Sequence, residues 1–440
     1  MPEHAPSILI LSSADPTQGT GTVAMNFYRA LRKAGMDVDM LTKYPVEGHP
    51  EFGCVIDTPP RWPNYLRYKW MKWLKRRSEQ MGAAIAQQGG YAFDYADEDT
   101  PPVPTWMVTR QVKKHYDIIF IVFWYQLLSY KTIRALYRKC HCQIHLRCPD
   151  NQPIAGGCHF IKSCPRLAEG CGQCPGLADG RPDDFTHRNI AYRRQVLEEV
   201  HPVVYGNTHM QMIYRQSALL ADYDRLETVF PLVDNAFFHP IDKAEARRAF
   251  GIDGKKTFVL FFGCTILTEE RKGMRYLTEA LQLFYQRLTA DERERVLLVV
   301  AGNHIDALRE HLPFDVQAVG YVPFDQLPQL YSAATAYLSP SVDDAGPSMV
   351  NQSLSCGTPV VAFNIGTALD MIEHENTGHC ARLRDAEDFA AGIMKIWNAT
   401  PSEYRNMCDD CRKVALRKTS EQSFTDGLIR IYNKYKYNNI

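Results

Sequence analysis

The sequence has no surplus of either charge: 50 lysines and arginines stand against 50 aspartates and glutamates in 440 residues. Such a balance creates no overall field for a polyanion, which argues against a nucleic-acid binder and leaves electrostatic preference to local patches. Also missing is any apolar stretch near the ~18 residues of a membrane-spanning helix. The opening run MPEHAPSILILSS has too short an apolar core and too little positive charge for a secretory signal, so the expected location is the cytoplasm. No internal repeat or low-complexity tract interrupts the chain. Residues 94–104 (DYADEDTPPVP) are acidic and proline-rich enough for a surface loop, to which no chemistry is assigned. Cysteine, by contrast, is plentiful at thirteen residues, and in a reducing compartment these read as thiols or metal ligands sooner than as a disulfide framework.

A chain of this length exceeds the ~250–300 residues that one core usually serves, so two lobes are expected. Residues 7–13 (SILILSS) read as a buried strand. A polar turn with Gly19, Thr20, Gly21 and Thr22 follows, then a helix with Val23, Phe27, Ala30 and Leu31 on one face. Gly35 stops that helix and residues 38–41 begin another strand, giving a βαβ unit whose glycine turn lies at the carboxyl end of the sheet. Apolar runs at 117–123, 142–146 and 202–205 extend this first α/β lobe over residues 1–225. A second alternation passes through 257–263, 296–302, 318–320, 336–339 and 359–363, giving a lobe over 226–420. Phe424, Leu428, Ile431 and Tyr432 then mark a terminal helix within 421–440.

Residues 341–363 (SVDDAGPSMVNQSLSCGTPVVAF) join a Gly-Pro turn, a short helix and a Cys-Gly-Thr-Pro break to a buried strand. Ser348 suits the cap of that helix. The amides of Met349 and Val350 then lie at its positive end, where an anion is stabilised. Asp344 and Gln352, eight positions apart, bracket the helix start and can reach sugar hydroxyls. Arg271, Lys272 and Gly273 lie just past the strand ending at Gly263 and offer the positive charge that a nucleotide diphosphate leaving group needs. The plainer alternative for the two bases is a solvated helix start. The amides of Gly19, Thr20, Gly21 and Thr22 suit close approach to a phosphate or a sugar.

The 341–363 segment resembles the donor-site signature of the family-four retaining glycosyltransferases, which carry two acids at this separation ahead of a Cys-Gly-Thr-Pro-Val-Val run. Those proteins are α/β, of the GT-B fold, with two doubly wound Rossmann-like domains facing a central cleft. The resemblance covers both lobes and is densest over residues 320–378. It implies an acceptor-binding domain at 1–225, a nucleotide-sugar domain at 226–420, and a helix at 421–440 that crosses back onto the first. It assigns the chemistry to Asp344, Lys272 and Arg271, and donor binding to Gly19, Thr20, Gly21, Thr22, Gly346, Pro347, Ser348, Met349, Val350 and Gln352. The implied donor is a nucleotide diphosphate sugar (UDP- or GDP-sugar), the implied acceptor a glycan or lipid-linked oligosaccharide, with retention at the anomeric carbon and no catalytic metal. Three positions depart from the pattern. The first acid is Asp344 rather than Glu, the second is Gln352, and Cys264 stands where an Arg usually follows the strand glycine. An amide both donates and accepts, so Gln352 can still meet a ribose diol with weaker charge assistance.

Cys158, Cys164, Cys171 and Cys174 fall in a turn-rich stretch with spacing C-x5-C-x6-C-x2-C. Four thiolates there can close a tetrahedral zinc site, and the loop has little else in its sequence to order it. Reduced or disulfide-linked structural cysteines and a redox role are the alternatives. This stretch, within 148–177, resembles a Gly-Gly-Cys-His and Cys-Gly-x-Cys-Pro insertion in a bacterial polysaccharide subgroup of the same transferases, where a His-Asp pair precedes it; here that pair is Pro149 and Asp150. Residues 61–77 (RWPNYLRYKWMKWLKRR) hold seven basic residues, no acidic one and three of the six tryptophans. They suit either an anionic bilayer, with Leu66, Trp70, Trp73 and Leu74 facing one way, or an amphipathic helix packed on the first lobe. His145 and His304 read as satisfied polar groups at strand ends.

The expected function is transfer of a hexose or deoxyhexose to a bacterial surface or exopolysaccharide precursor. The alternatives are another GT-B enzyme, an epimerase or phosphorylase, and a weakened transferase kept as a binding or scaffold subunit. No lysine for pyridoxal phosphate is recognisable.

Overall fold

The computed structural model describes residues 5–436, except 58–62, 64, 67, 68, 71, 74, 75, 78–84, 86, 149, 231, 267, 268, 304–308, 310, 311 and 347. Of 265, 266 and 303 it describes the main chain alone. The chain divides into two compact units, the first comprising 1–206, 210–229 and 424–440, the second 207–209 and 230–423.

In the first unit, β1 (Ile8–Ser12), β2 (Val38–Thr42), β3 (Gly53–Cys54), β4 (Ile118–Phe123), β5 (Gln143–Arg147), β6 (Val203–Tyr205) and β7 (Leu226–Glu227) form one sheet. Its order is β3-β2-β1-β4-β5-β6-β7, and every pairing is parallel. The strand sequences ILILS and IIFIVF are almost wholly buried, as sheets covered by helices on both faces require. The helix Thr22–Lys33 covers one face through Phe27, whose ring stacks on Phe120 at 5.5 Å and on Phe424 at 4.2 Å. Phe424 lies on the helix Glu421–Lys436, which closes this core with Leu428, Ile431 and Tyr432. His145 is completely buried and bonded at both ring nitrogens, to Tyr205 Oη at 2.7 Å and Gln143 Oε1 at 3.0 Å. Its sequence reading as a satisfied polar group holds; His304 lies outside the described residues.

The second unit repeats the plan with β8 (Phe258–Ile266), β9 (Val296–Asn303), β10 (Asp315–Gly320), β11 (Ala336–Ser339), β12 (Val360–Phe363) and β13 (Gly378–Ala381). The order β10-β9-β8-β11-β12-β13 is again parallel throughout. Leu277, Leu281 and Phe284 of the helix Met274–Gln286 pack on one face with Phe389 and Ile393. Val350 and Leu354 of the helix Ser348–Ser355 pack on the other with Tyr331 and Val414. In both sheets the order reverses once, between β1 and β4 and between β8 and β11. The carboxyl ends of strands at such a reversal are where ligands bind in doubly wound folds.

Candidate functional site

At the reversal of the second sheet a cationic turn meets an acidic loop. After β8, Glu270–Lys272 form a single 3₁₀ turn, and Gly273, at φ 70°, passes the chain into the helix Met274–Gln286. A Cβ at Gly273 would lie 1.8 Å from the Pro340 carbonyl oxygen, so glycine is what lets this turn seat against the loop leaving β11. Val342 N donates to Arg271 O at 2.8 Å across the same contact. The outcome is that Lys272 Nζ stands 2.9 Å from Asp344 Oδ2. Arg271 lies 3.6 Å from the same oxygen and pairs with Glu269 at 2.6 Å. The Asp344 and Lys272 side chains are only 16% and 18% exposed, a setting in which water screens the pair weakly.

Asp344 also organises the loop ahead of the next helix, its Oδ1 accepting from Gly346 N at 3.1 Å. Gly366, at φ 54°, packs on the far side, where a Cβ would lie 2.9 Å from Asp344 O. The helix Ser348–Ser355 starts immediately after, with Gly346 and Ser348 exposed and Val350 buried. Its first-turn amides have no partner inside the helix and carry the positive end of its dipole. Met349 reaches β8, since a Cβ on Gly263 would meet its Cε at 3.1 Å. Gln352, one turn along, accepts from Tyr331 Oη at its Oε1, 2.9 Å away. Its amide is thus oriented by a buried phenol with the NH2 as the remaining polar half. Pro347 lies outside the described residues. Asp344, Lys272, Arg271, Gly346, Ser348, Met349, Val350 and Gln352 are therefore gathered at one reversal.

Sequence reading missed Asn207, Thr208 and His209, which belong to this second unit. Asn207 Nδ2 donates to Ala345 O, and Thr208 N donates to Asp370 Oδ2 at 3.0 Å. Burial pushes the His209 imidazole down, and Asp344 and Asp370 only partly offset it. Their one sequence signal is a polar cluster right after an apolar strand; their partners lie well over a hundred positions away.

The glycine turn of the first unit differs from expectation. Gly19–Gly21 is a 3₁₀ turn in which Gly21 N bonds Gln18 O at 3.1 Å and the Thr22 amide bonds Gly19 O and Thr20 O. Thr22 Oγ1 caps Gly19 O at 2.8 Å, and a Cβ on Gly21 would lie 1.8 Å from Asp15 O. Two of the four amides expected to face a ligand are thus already used to close the turn.

Cys158, Cys164, Cys171 and Cys174 do converge, lining one cavity of about 20 Å3 with Tyr91, Phe93 and Leu167, room for roughly one water-sized occupant. Burial pushes the Cys171 thiol up to about 11, and the Cys158 and Cys174 thiols also upward. Among the described residues no group of three or more His, Cys, Asp or Glu side chains is set as a ligand shell, and all thirteen cysteines are thiols. The expectation that this loop has little else to order it is wrong. Arg193, fully buried against Glu98, donates to the carbonyls of Gln152 and Ala155, and Asn189 Nδ2 donates to Gly156 O at 2.9 Å. Asp184, which caps the helix Phe185–Val200, also accepts from Cys174 N at 2.9 Å.

Of residues 61–77, Arg61, Trp62, Asn64, Arg67, Tyr68, Met71, Leu74 and Lys75 lie outside the described residues. Trp70 and Trp73 stack at 5.2 Å, and Leu66 and Trp73 are about half exposed. Among the described residues no helix is long and apolar enough to cross a membrane.

Comparison with known proteins agrees with this geometry. Residues 242–415 match the family described as glycosyl transferases group 1. The chain is 33% identical over 219 residues to a D-inositol 3-phosphate glycosyltransferase of Pseudarthrobacter chlorophenolicus, covering 47% of this chain and 51% of that protein. It is 24% identical over 269 residues to the protein of that name from Rhodococcus jostii, covering 58% and 57%. The chain thus spans about half the length of the curated relatives it matches. Among solved structures, sucrose-phosphate synthase of Thermosynechococcus elongatus superposes with a TM-score of 0.63 at 16% identity, covering 99% of this chain and 100% of the other. Anabaena HepE, solved with UDP and glucose, superposes at 0.59 with 13% identity, covering 98% and 100%. TarM gives 0.63 and 13%, covering 98% and 99%. Residues 242–415 thus match the model of the glycosyl transferases group 1, and the chain has the GT-B fold.

Proposed function

We propose that the protein transfers a hexose or deoxyhexose from a nucleotide diphosphate sugar to a glycan or lipid-linked acceptor in bacterial polysaccharide synthesis, with retention at the anomeric carbon. The observation that carries this reading is the Lys272–Asp344 pair beside the start of the helix Ser348–Ser355, at the sheet reversal. As the sugar–phosphate bond breaks, negative charge builds on the diphosphate, and Lys272, Arg271 and the helix-end amides are donors fixed in advance for it. Asp344 cancels those cations when no diphosphate is present. On binding, the phosphates take over Lys272 and Arg271, and the Asp344 carboxylate turns to the sugar hydroxyls. Same-face attack, in which the leaving phosphate accepts the acceptor proton, needs from the protein only positioning and charge stabilisation, with no catalytic metal. Gln352 meets the ribose through its NH2, Oε1 being held by Tyr331. The amides of Gly19 and Thr20 remain the donors proposed from the first unit.

HepE was solved with UDP, which makes UDP-sugars the first donors to test and GDP-sugars the second. Incubation with each should release the nucleoside diphosphate for at least one. Nucleotide binding without turnover on any donor would instead favour a scaffold.

Two further assignments belong to this reading. Cys158, Cys164, Cys171 and Cys174 hold one structural zinc, supported by their convergence on a cavity sized for a single occupant. The purified protein should contain about one zinc per chain, and a content far below that removes the site. Residues 61–77 contact an anionic bilayer at the inner face of the plasma membrane through exposed Leu66 and Trp73 and their basic neighbours. Lack of affinity for anionic vesicles at physiological salt would exclude this contact.

A further inference from the structure

Cys140 and Cys142 belong neither to the cysteine loop nor to the proposed donor site. They flank the turn from the helix Tyr130–Cys140 into β5, with His141 between them at φ 48° and ψ 42°. That left-handed conformation is uncommon for a residue with a Cβ and persists where its surroundings impose it. The chain is fixed on both sides of the bend. His141 N donates to Tyr137 O at 2.7 Å, Gln143 N donates to Asp117 O at 3.0 Å, and Gln143 Nε2 donates to Tyr432 O at 3.0 Å.

The bend turns the two thiols toward each other, and Cys142 Sγ donates a hydrogen bond to the Cys140 sulfur. At this separation along the chain their Cα atoms can stand at most about 7 Å apart. A bend at the middle residue shortens that into the ~4.4–6.8 Å that a disulfide spans. Both residues are 6% exposed, and both are free thiols.

The pair divides the labour of oxidation. The hydrogen bond from Cys142 holds the Cys140 thiol below the ordinary cysteine range in spite of burial, and the Lys139 charge helps. The same hydrogen bond, with burial, pushes Cys142 up. Burial pushes Cys54, Cys148, Cys356 and Cys380 up as well. Since the thiolate is the form that reacts with oxidants, Cys140 is favoured over these other thiols as the first sulfur to be oxidised. Cys142, held against it, is the thiol placed to resolve the product.

We propose that Cys140 and Cys142 form a peroxide-sensitive pair that closes reversibly into a disulfide. The Cys140 thiolate attacks hydrogen peroxide, an S–O bond forming as the O–O bond breaks, which leaves a sulfenic acid and hydroxide. The Cys142 proton passes to that hydroxide as water, and the Cys142 sulfur forms the S–S bond as hydroxide leaves Cys140. Thiolate and thiol thus lose two electrons together while one peroxide is reduced to water and hydroxide. Oxidation of Cys140 also removes the charge that held the Cys142 proton, so the second thiol is released at the step that needs it. Burial disfavours a bulky oxidant such as glutathione disulfide and suits one as small as a peroxide. The proposal does not rest on the transfer reaction above.

The test exposes the full native chain to hydrogen peroxide, blocks the remaining thiols with N-ethylmaleimide and maps the peptides by mass. The peptide holding Cys140 and Cys142 should lose two hydrogens and escape blocking at peroxide concentrations that leave Cys54, Cys148, Cys356 and Cys380 blocked. Dithiothreitol should then restore both thiols. In Cys142→Ser the sulfenic acid of Cys140 has no partner, so dimedone should label Cys140 in the variant and not in the parent. The proposal is overturned if Cys140 and Cys142 stay blocked while those four oxidise, if dithiothreitol does not reverse the change, or if dimedone labels parent and variant alike. The map of the parent needs no variant, so it decides even where Cys142→Ser fails to fold.

Discussion

Replacing Gly273 by alanine should unseat the Arg271–Lys272 turn from the 340–344 loop. Two costs add at this position. The left-handed backbone at φ 70° charges a Cβ about 1–2 kcal/mol. The new Cβ would also lie 1.8 Å from Pro340 O, where real Cβ atoms keep at least 3.0 Å, so the two segments must part by more than an ångström. That movement breaks the Val342 N to Arg271 O bond of 2.8 Å, worth roughly 1 kcal/mol, and draws Lys272 away from Asp344. The total is about 3 kcal/mol, or roughly 6–12 °C in the unfolding temperature of a domain this size, with weaker UDP binding beside it. Gly320→Ala is the control. Its φ is 63° with no atom within 4 Å of the added Cβ, so only the backbone cost of about 1–2 kcal/mol remains. Thermal unfolding and UDP titration of both variants at one scan rate check this. Equal melting temperatures would refute the close approach of the turn to Pro340.

Asp344→Asn should tighten UDP by about tenfold, since a charge-assisted bond of ~1.5–3 kcal/mol no longer competes for Lys272. The same change should lower turnover of the intact sugar nucleotide. Titration calorimetry and diphosphate release separate the two effects, and weaker UDP binding would contradict the cancellation of charge. His145 gives a pH signature. Burial, with the Arg225 charge, pushes it down to about 3 from 6.5, so its stabilising contribution is complete above pH 6.5 and is lost as pH falls toward 3. By linkage about 2 kcal/mol disappears between pH 7.5 and 5. His145→Gln should flatten that part of the unfolding-temperature profile, and an unchanged slope would exclude His145 as its source.

What was legible in the sequence was whatever is carried by local pattern. The strands β1, β4, β8 and β11 are near-continuous apolar runs, and the helix Ser348–Ser355 announces itself by the serine at its start and the break at Gly357. What was hidden depends on partners far along the chain. Arg193, which ties down the cysteine loop, looks like any helical arginine until Glu98 and the Gln152 and Ala155 carbonyls surround it. Tyr331, which fixes the Gln352 amide, lies 21 positions away with no local signal. Nothing local sets His159 apart from the cysteine beside it, because Asp94 and Asp150 meet it only in the fold. The Gly21 and Thr22 amides look like ligand donors in the sequence because a glycine turn does not reveal which of its amides close the turn itself.

The proposed transfer depends on Lys272 acting on a diphosphate leaving group. The direct measurement is nucleoside diphosphate release from a panel of UDP- and GDP-sugars by the parent protein and by Lys272→Ala. The parent should release nucleoside diphosphate from at least one donor, and the variant should lose about a hundredfold, the scale on which removal of one preorganised donor lowers kcat. Release that proceeds as fast in Lys272→Ala as in the parent would contradict it.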